Sequence, residues 1–265
     1  MSILRKPGLL ISLLFIAVVV FAMIAPQLIA PYDPFDSVGT ARLAPPSLEH
    51  LFGTDHLARD VFSRVVYGAQ LSLSAAALAV VAGVLIGSIV GLVCGYLGGP
   101  VDFVAMRFVD VLIAIPGILL ALIVVASLGF GPLSIALGVG LGTAGAFARV
   151  MRAQVLRVRS EEYVEAARTL GARGPAILVR HVLPNAARPI IAMASLELAL
   201  AILSVSALSF LGFGAQPPAP EWGALVSSGR DFVATAPWLS LLPGAVILAV
   251  VLAVNRAARW IGGDR

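Results

Sequence analysis

"VVYGAQLSLSAAALAVVAGVLIGSIVGLVCGYLGGPV", residues 65–101, runs for 37 residues without one charged side chain. A helix needs about 20 predominantly apolar residues to cross a hydrocarbon core about 30 Å thick, so this stretch reads as a membrane span with residues to spare. Four more charge-free runs accompany it: 26 residues at 7–32, 38 at 111–148, 23 at 198–220 and 24 at 232–255. The longest is interrupted by Gly129-Phe130-Gly131-Pro132, which divides it in two. The expectation is an all-α membrane protein with six transmembrane helices near residues 9–29, 71–96, 106–127, 133–149, 188–210 and 239–256. A mean hydropathy of +1.01 with only 12% charged residues excludes a water-soluble domain of 265 residues.

Orientation follows from the basic residues, because Lys and Arg in short loops stay cytoplasmic. With an inside N-terminus, 14 of the 18 basic residues fall inside, including Arg5, Lys6, Arg107, the eight arginines of 149–188, Arg256, Arg259 and Arg265. Arg42, Arg59, Arg64 and Arg230 remain outside, outnumbered by seven acids, and both termini are expected in the cytoplasm. The run after Arg5-Lys6 is long for a signal peptide and lacks an A-x-A site, so it reads as an uncleaved anchor. A lone cysteine, Cys94, rules out a disulfide framework. The sequence pI of about 9.8 reflects topology and forms no continuous basic face with interleaved aromatics, so lipid is the expected partner and nucleic acid is not.

The organisation divides into residues 1–67 (an anchor and an extracytoplasmic segment), 68–258 (a five-helix core with a cytoplasmic loop at 150–187) and 259–265 (a short tail). In the second span Gly83, Gly87, Gly91 and Gly95 recur at every fourth position, on one helix face, and read as a seam for close helix packing. Gly140-Leu-Gly-Thr-Ala-Gly145 matches a dinucleotide-binding pattern, but that motif needs a preceding strand and this one lies in a membrane helix, which favours packing. Glu197 is the one acid deep within a span; it reads either as a pathway group or as a carboxyl bonded to another helix, with Ser195 and Ser204 nearby.

Catalytic patterns are missing. The only lysine, Lys6, has no glycine loop before it, which excludes a Walker A phosphate loop, and neither H-E-x-x-H nor G-x-S-x-G occurs. The three histidines, His50, His56 and His181, fall on both sides of the membrane, so they form no three-His metal site. His50 and His56 share the outer segment with Asp55 and Asp60, where a weak metal site stands beside ordinary loop polarity. Gly53-Thr54-Asp55 reads as a turn leading into a short helix that pairs Asp60 with Arg64 at i, i+4, solvated or serving in gating. Trp222 and Trp238 read as interface anchors, with docking of a partner as the other reading.

Residues 149–188 form the only long charged stretch, with eight arginines and three glutamates. Ser160-Glu161-Glu162 reads as a capped helix start, with a helix at 161–170 closed by Gly171 in a left-handed conformation. Gly174-Pro175 starts a second short helix to about Leu183, and Pro184 and Pro189 mark the turn into the fifth span. Two short helices joined by a glycine make a knob. Ala166 and Ala167 let a partner surface approach the backbone while Glu162 and Glu165 supply charge. The other reading is a basic loop lying on lipid headgroups.

Glu165-Ala166-Ala167, Gly171 and Val182-Leu183-Pro184 together resemble the EAA loop of permease subunits of binding-protein-dependent ABC importers. "HLFGTDHLARDVFSRVVYGAQLSL" (50–73) and "LSFLGFGAQPPAPEWG" (208–223) are similar to the C-type subunit of dipeptide, oligopeptide and nickel importers. The resemblance covers nearly the whole chain. It departs at Ala58, where relatives usually have Gly, at Val205, where many carry an acid, and in the short tail.

The resemblance implies a type I ABC importer permease fold in a bacterial inner membrane. It implies half of a translocation pathway for peptides or a related small solute, a second homologous permease as heterodimer partner, two ABC ATPases and an extracytoplasmic solute-binding protein. ATP and Mg would belong to the ATPases, with no cofactor on this chain, which is then no enzyme. Glu162, Glu165, Ala166, Ala167, Gly171, Leu183 and Pro184 would couple to the ATPase. Asp55, Asp60, Arg64 and Glu197 would serve the pathway or its gating, and Pro217, Pro218 and Trp222 docking of the binding protein. An ATPase-independent secondary transporter is the alternative; it would show inverted repeats with broken helices.

Overall fold

The computed structural model describes residues 7–39 and 42–262; Arg5, Lys6 and Arg265, used above for orientation, lie outside them. The element order is α1 (Pro7–Ile24), α2 (Val61–Leu97), α3 (Gly99–Ala114), α4 (Gly117–Leu128), α5 (Pro132–Arg159), α6 (Glu162–Thr169), α7 (Gly174–Ile177), α8 (Leu183–Phe210), α9 (Trp222–Gly229) and α10 (Trp238–Gly262). Among the described residues there is no strand, only an isolated bridge between Thr54 and Asp60.

Five helices are long and apolar enough to cross a membrane: Pro7–Ile24, Val61–Leu97, Pro132–Arg159, Gly174–Phe210 and Trp238–Trp260. The sixth crossing is not the single helix expected at 106–127. It is the pair α3 and α4, bent by 95°. Pro116 has no N–H to continue the ladder and pushes the residue before it out of the helical region, and Ile115 is accordingly extended at φ −83°, ψ 126°.

The turn into the fifth span also differs from expectation. Proline disrupts a helix by removing an i→i−4 bond, which suggested a break at Pro184 and Pro189. Instead α7 runs through a π-helical turn, Leu178–Val182, directly into α8. The wider turn lets the Leu183 N–H reach the Leu178 carbonyl and places Pro184 in the first turn of α8. Pro189 is carried inside the helix.

α2 and α5 form the spine. Gly83, Gly87, Gly91 and Gly95 all face α5, and the contacts climb in step: Gly83 against Gly140 and Thr143, Gly87 against Ala144 and Phe147, Gly91 against Ala148 and Met151, Gly95 against Val155. The two helices therefore run parallel with main chains nearly touching, the packing that small residues permit where lipid competes with every apolar side chain. Gly140 answers from α5 by lying against Ala79 and Ala82, so the dinucleotide-like pattern is helix packing with no strand before it. α2 is continuous across residue 68, the boundary expected from composition.

Buried apolar residues form two clusters. The larger joins α2, α4, α5, α8, α9 and α10 around Ala76, Ala121, Ile135, Ile202 and Trp222. The second lies at the other end of the spine, where α5 and α8 meet the charged insert.

Candidate functional site

The insert is built outward from α5. Phe147, Met151, Val155 and Val158 point from α5 toward Ile177, Val182, Ala186 and Ile190, and Val164 of α6 is fully buried among them. One apolar side chain thus clamps α6 while its opposite side stays free: Glu162, Glu165, Ala166 and Leu170 are exposed and Ala167 is half-buried. Gly171, at φ +84°, ends α6 as expected. The Ala172 N–H reaches the Ala167 carbonyl and the Gly171 N–H the Arg168 carbonyl, a Schellman closure that needs a left-handed residue.

Ser160 does not cap α6. Its hydroxyl donates to the Arg157 carbonyl at 2.8 Å and so closes α5, while Glu161 takes the cap position of α6 without a side-chain bond. A hydroxyl between two helices can serve either end, and the short backward reach wins. Leu183 packs against the insert's core, and Pro184 is exposed.

Two further contacts attach this knob to the bundle. Arg159 donates to the carbonyls of Gly95 and Tyr96 at 2.7 and 2.6 Å, satisfying the free end of α2, and lies over the Tyr96 ring. Asn185 of α8 donates to the Tyr163 hydroxyl of α6 at 3.1 Å.

At the opposite end, residues 31–39, 42–60 and 211–237 form a cap over α2, α8 and α10. Asp60 caps α2, accepting from the Ser63 N–H at 2.7 Å, and holds His50 Nδ1 at 2.9 Å. The expected Asp60–Arg64 pair is absent, because Asp60 is occupied by the cap and the imidazole. Arg64 instead donates to the Pro34 carbonyl at 2.7 Å and the Pro218 carbonyl at 3.2 Å, tying the two cap segments together. Asp55 pairs with Arg59 at 2.8 Å and stands 3.9 Å from Arg64. His56 stacks on Phe232, and among the described residues no three His, Cys, Asp or Glu side chains gather as metal ligands.

Pro217 and Pro218 are exposed on this cap and help line a cleft of about 410 Å³ with Arg59 and Arg64. Trp222 is not available there: it is 1% exposed, so the docking and lipid-anchor readings both give way to a core role. Glu197 is half-buried on α8, and Ser195 turns away from it to the Ile191 carbonyl at 2.9 Å.

Sequence reading missed four residues. Glu221 is fully buried and accepts from the Ser209 hydroxyl and from the Ala215 N–H, winding residues 209–221 into a closed loop. Its available signal was an acid between Pro220 and Trp222 with no base nearby. Arg152 and Asp102 form a bidentate pair at 2.5 Å for each contact, joining α5 to α3 across 50 residues, a separation that leaves no local signal. Arg159 looked like one more basic loop residue.

Residues 83–263 match the family described as the binding-protein-dependent transport system inner membrane component. The dipeptide transport system permease protein DppC of Alkalihalophilus pseudofirmus is 41% identical over 248 residues, covering 94% of this chain and 80% of that one. The glutathione transport system permease protein GsiD of Pectobacterium atrosepticum is 40% identical over 247 residues, covering 93% and 81%. Two solved structures share the fold. A chain of the MetNI methionine ABC transporter has a TM-score of 0.57 at 20% identity, over 75% of this chain and 96% of that one. A chain of an amino acid ABC transporter has a TM-score of 0.59 at 16% identity, over 77% and 95%.

Proposed function

Because the chain belongs to the inner membrane components of binding-protein-dependent transport systems, we propose that its knob is the point at which a separate ATPase drives it. The protein is a multi-pass permease subunit of a bacterial ABC importer in the inner membrane, and its family is a transport family, not a catalytic one. Dipeptides and glutathione are the solutes named for its relatives, and both are small peptides; the substrate assigned here is a peptide of that size.

In this reading the knob and both termini are cytoplasmic, as the distribution of arginines supports. A second homologous permease completes the pathway, two ATPases carry ATP and Mg, and a binding protein delivers solute to the cap. Residues 68–258 make the transport core after the 1–67 anchor. Asp55, Asp60 and Arg64 hold the cap as a unit, Pro217 and Pro218 offer its surface to the binding protein, and Glu197 faces the pathway.

The observation that carries the coupling role is the division of α6: Val164 buried in a core continuous with α5 and α8, Glu165 and Ala166 exposed on the other side. A rigid attachment with a free face of small residues can seat in a groove and transmit a push to the spanning helices as a rigid-body movement. ATP moves the equilibrium only through unequal affinity for the two states.

Ala166→Trp tests this, since an exposed site accepts the ring without disturbing the core. In the reconstituted importer, ATP-driven peptide uptake should fall about tenfold or more, the loss of roughly 1.4 kcal/mol of coupling, while membrane insertion and pairing with the sister permease persist. Unchanged uptake would remove the assignment. Ala167→Trp should act in the same direction with some loss of stability, because Ala167 is half-buried.

A further inference from the structure

α3 packs on α5 through Val109 and Ile113, which lie against Gly145, and two further sides of it stay open. Val101, Val104, Phe108 and Val111 form an exposed apolar strip suited to lipid or to a partner helix. Gly99, Asp102, Met106 and Asp110 recur at helical spacing on another side, over roughly 16 Å at about 1.5 Å per residue. Opposite them α5 supplies Arg149 and Arg152. With Phe103 and Arg107 these residues line an open cleft of about 470 Å³ that starts at the knob end of α3 and climbs into the span.

Two ion pairs cross the cleft, Asp102–Arg152 and Asp110–Arg149 at 2.8 Å. The second is 51% exposed at Asp110 and 57% at Arg149. Hydrocarbon does not solvate such a pair, so intramembrane charges face water or a bundle interior. The polar side of α3 is therefore turned away from hydrocarbon, toward water or toward protein. Three arginines against two aspartates leave one positive charge, 3 − 2 = +1. That charge sits on Arg107, which lies over the Phe103 ring at 5.3 Å and has no carboxylate partner among the described residues.

We propose that this cleft is an aqueous vestibule of the translocation pathway in which Arg107, backed by Arg149 and Arg152, receives the terminal carboxylate of a passing peptide. The proposal rests on the peptide-permease reading above. A guanidinium fork matches a carboxylate in two parallel bonds, which is where arginine differs from lysine. Asp102 and Asp110 hold Arg152 and Arg149 in place and weaken the site's total pull on an anion. A transit site needs that balance, since a solute must enter and also leave.

The test uses the complete importer in phosphatidylcholine nanodiscs, with Cys94→Ala removing this chain's one native thiol, Met106→Cys placing a reporter in the cleft, and labelling read on this chain alone. Uptake of dialanine by the same importer in proteoliposomes is checked first; its failure would count against the peptide reading, while labelling still reports on the vestibule. An anionic sulfonatoethyl methanethiosulfonate should react about threefold faster than the cationic trimethylammonioethyl reagent, and Arg107→Gln should erase that preference. Dialanine at millimolar concentration should slow labelling, and its C-terminal amide should not. Arg107→Lys should restore the preference for the anionic reagent and recover little of the dialanine protection. Failure of both reagents to react, or equal protection by the amide, would overturn the proposal. So would protection by phosphatidylglycerol in the disc in place of dialanine, which would assign the cleft to lipid headgroups.

Discussion

The indole Nε1 of Trp222 donates to the main-chain carbonyl of Val65 at 2.8 Å, across 157 residues. The Trp222 N–H donates to the Ser72 hydroxyl at 3.0 Å, and the ring rests on Gly68, where a Cβ would lie 3.0 Å from Cδ1. One buried side chain therefore fixes the cap loop to the first turns of α2. Trp222→Phe removes the indole donor and should cost about 1–2 kcal/mol, and Trp222→Ala about 3–5 kcal/mol by opening a cavity. Thermal unfolding of the solubilised protein measures both. An unchanged melting temperature with weakened binding-protein affinity would instead restore a docking role.

Ala58 sits at φ +58° and is 4% exposed, in a turn fastened by Ala58 N–H to Asp55 O and by Val38 N–H to Ala58 O. A left-handed L-residue costs roughly 1–2 kcal/mol through the approach of Cβ to the carbonyl oxygen. Glycine relieves this and gives back part through greater freedom of the unfolded chain. Ala58→Gly should therefore stabilise by about 0.5–1 kcal/mol, seen as a higher melting temperature. A drop would show that the methyl group's buried contacts outweigh the strain.

Gly91 lies against the Ala148 carbonyl and the Met151 Cβ, and backbone on the facing helix cannot fold aside. Gly91→Ala should part α2 from α5 and destabilise by about 3 kcal/mol, near the upper end for overpacking. Gly244→Ala in α10 meets nothing within 4 Å and provides the control. Comparable yields and melting temperatures for the two variants would mean that the seam can open without loss.

Arg159 joins the knob to the end of α2, and its guanidinium makes two bonds to carbonyls that otherwise lack partners there. Arg159→Ala should cost about 1.5–3 kcal/mol locally. The sharper readout is coupling: ATP hydrolysed per peptide transported should rise, because a loosened knob moves without carrying α2 along. An unchanged ratio would place the transmission entirely in α5 and α8.

Much of the bundle was legible from the chain alone. Lipid accepts almost no charge, so charge-free runs mark spans directly, and the four-residue spacing of Gly83 to Gly95 places those residues on one face of α2. Gly171 was legible as a left-handed closure because it follows a short amphipathic helix. Pro116, Pro184 and Pro189 were not separable on local grounds: all three remove an N–H, yet one bends the chain by 95° and the others ride inside a continuous helix. At Pro184 a π turn just before it carries the chain into α8, whereas Pro189 is held inside α8 with no such turn, and the surrounding packing decides between bending and continuing.

By itself the sequence determined the solvent, the number of crossings, the charged insert and the family resemblance, because these depend on composition and on spacing within one helix. Only the tertiary structure decided that Trp222 and Glu221 belong to the interior, that Arg64 ties two cap segments, and that Asp102 and Arg152 bridge α3 and α5. Each of these is a pairing across 12 to 157 residues. Such pairings have no periodicity to read; they exist once buried polar groups must find partners among whatever the folded helices bring near.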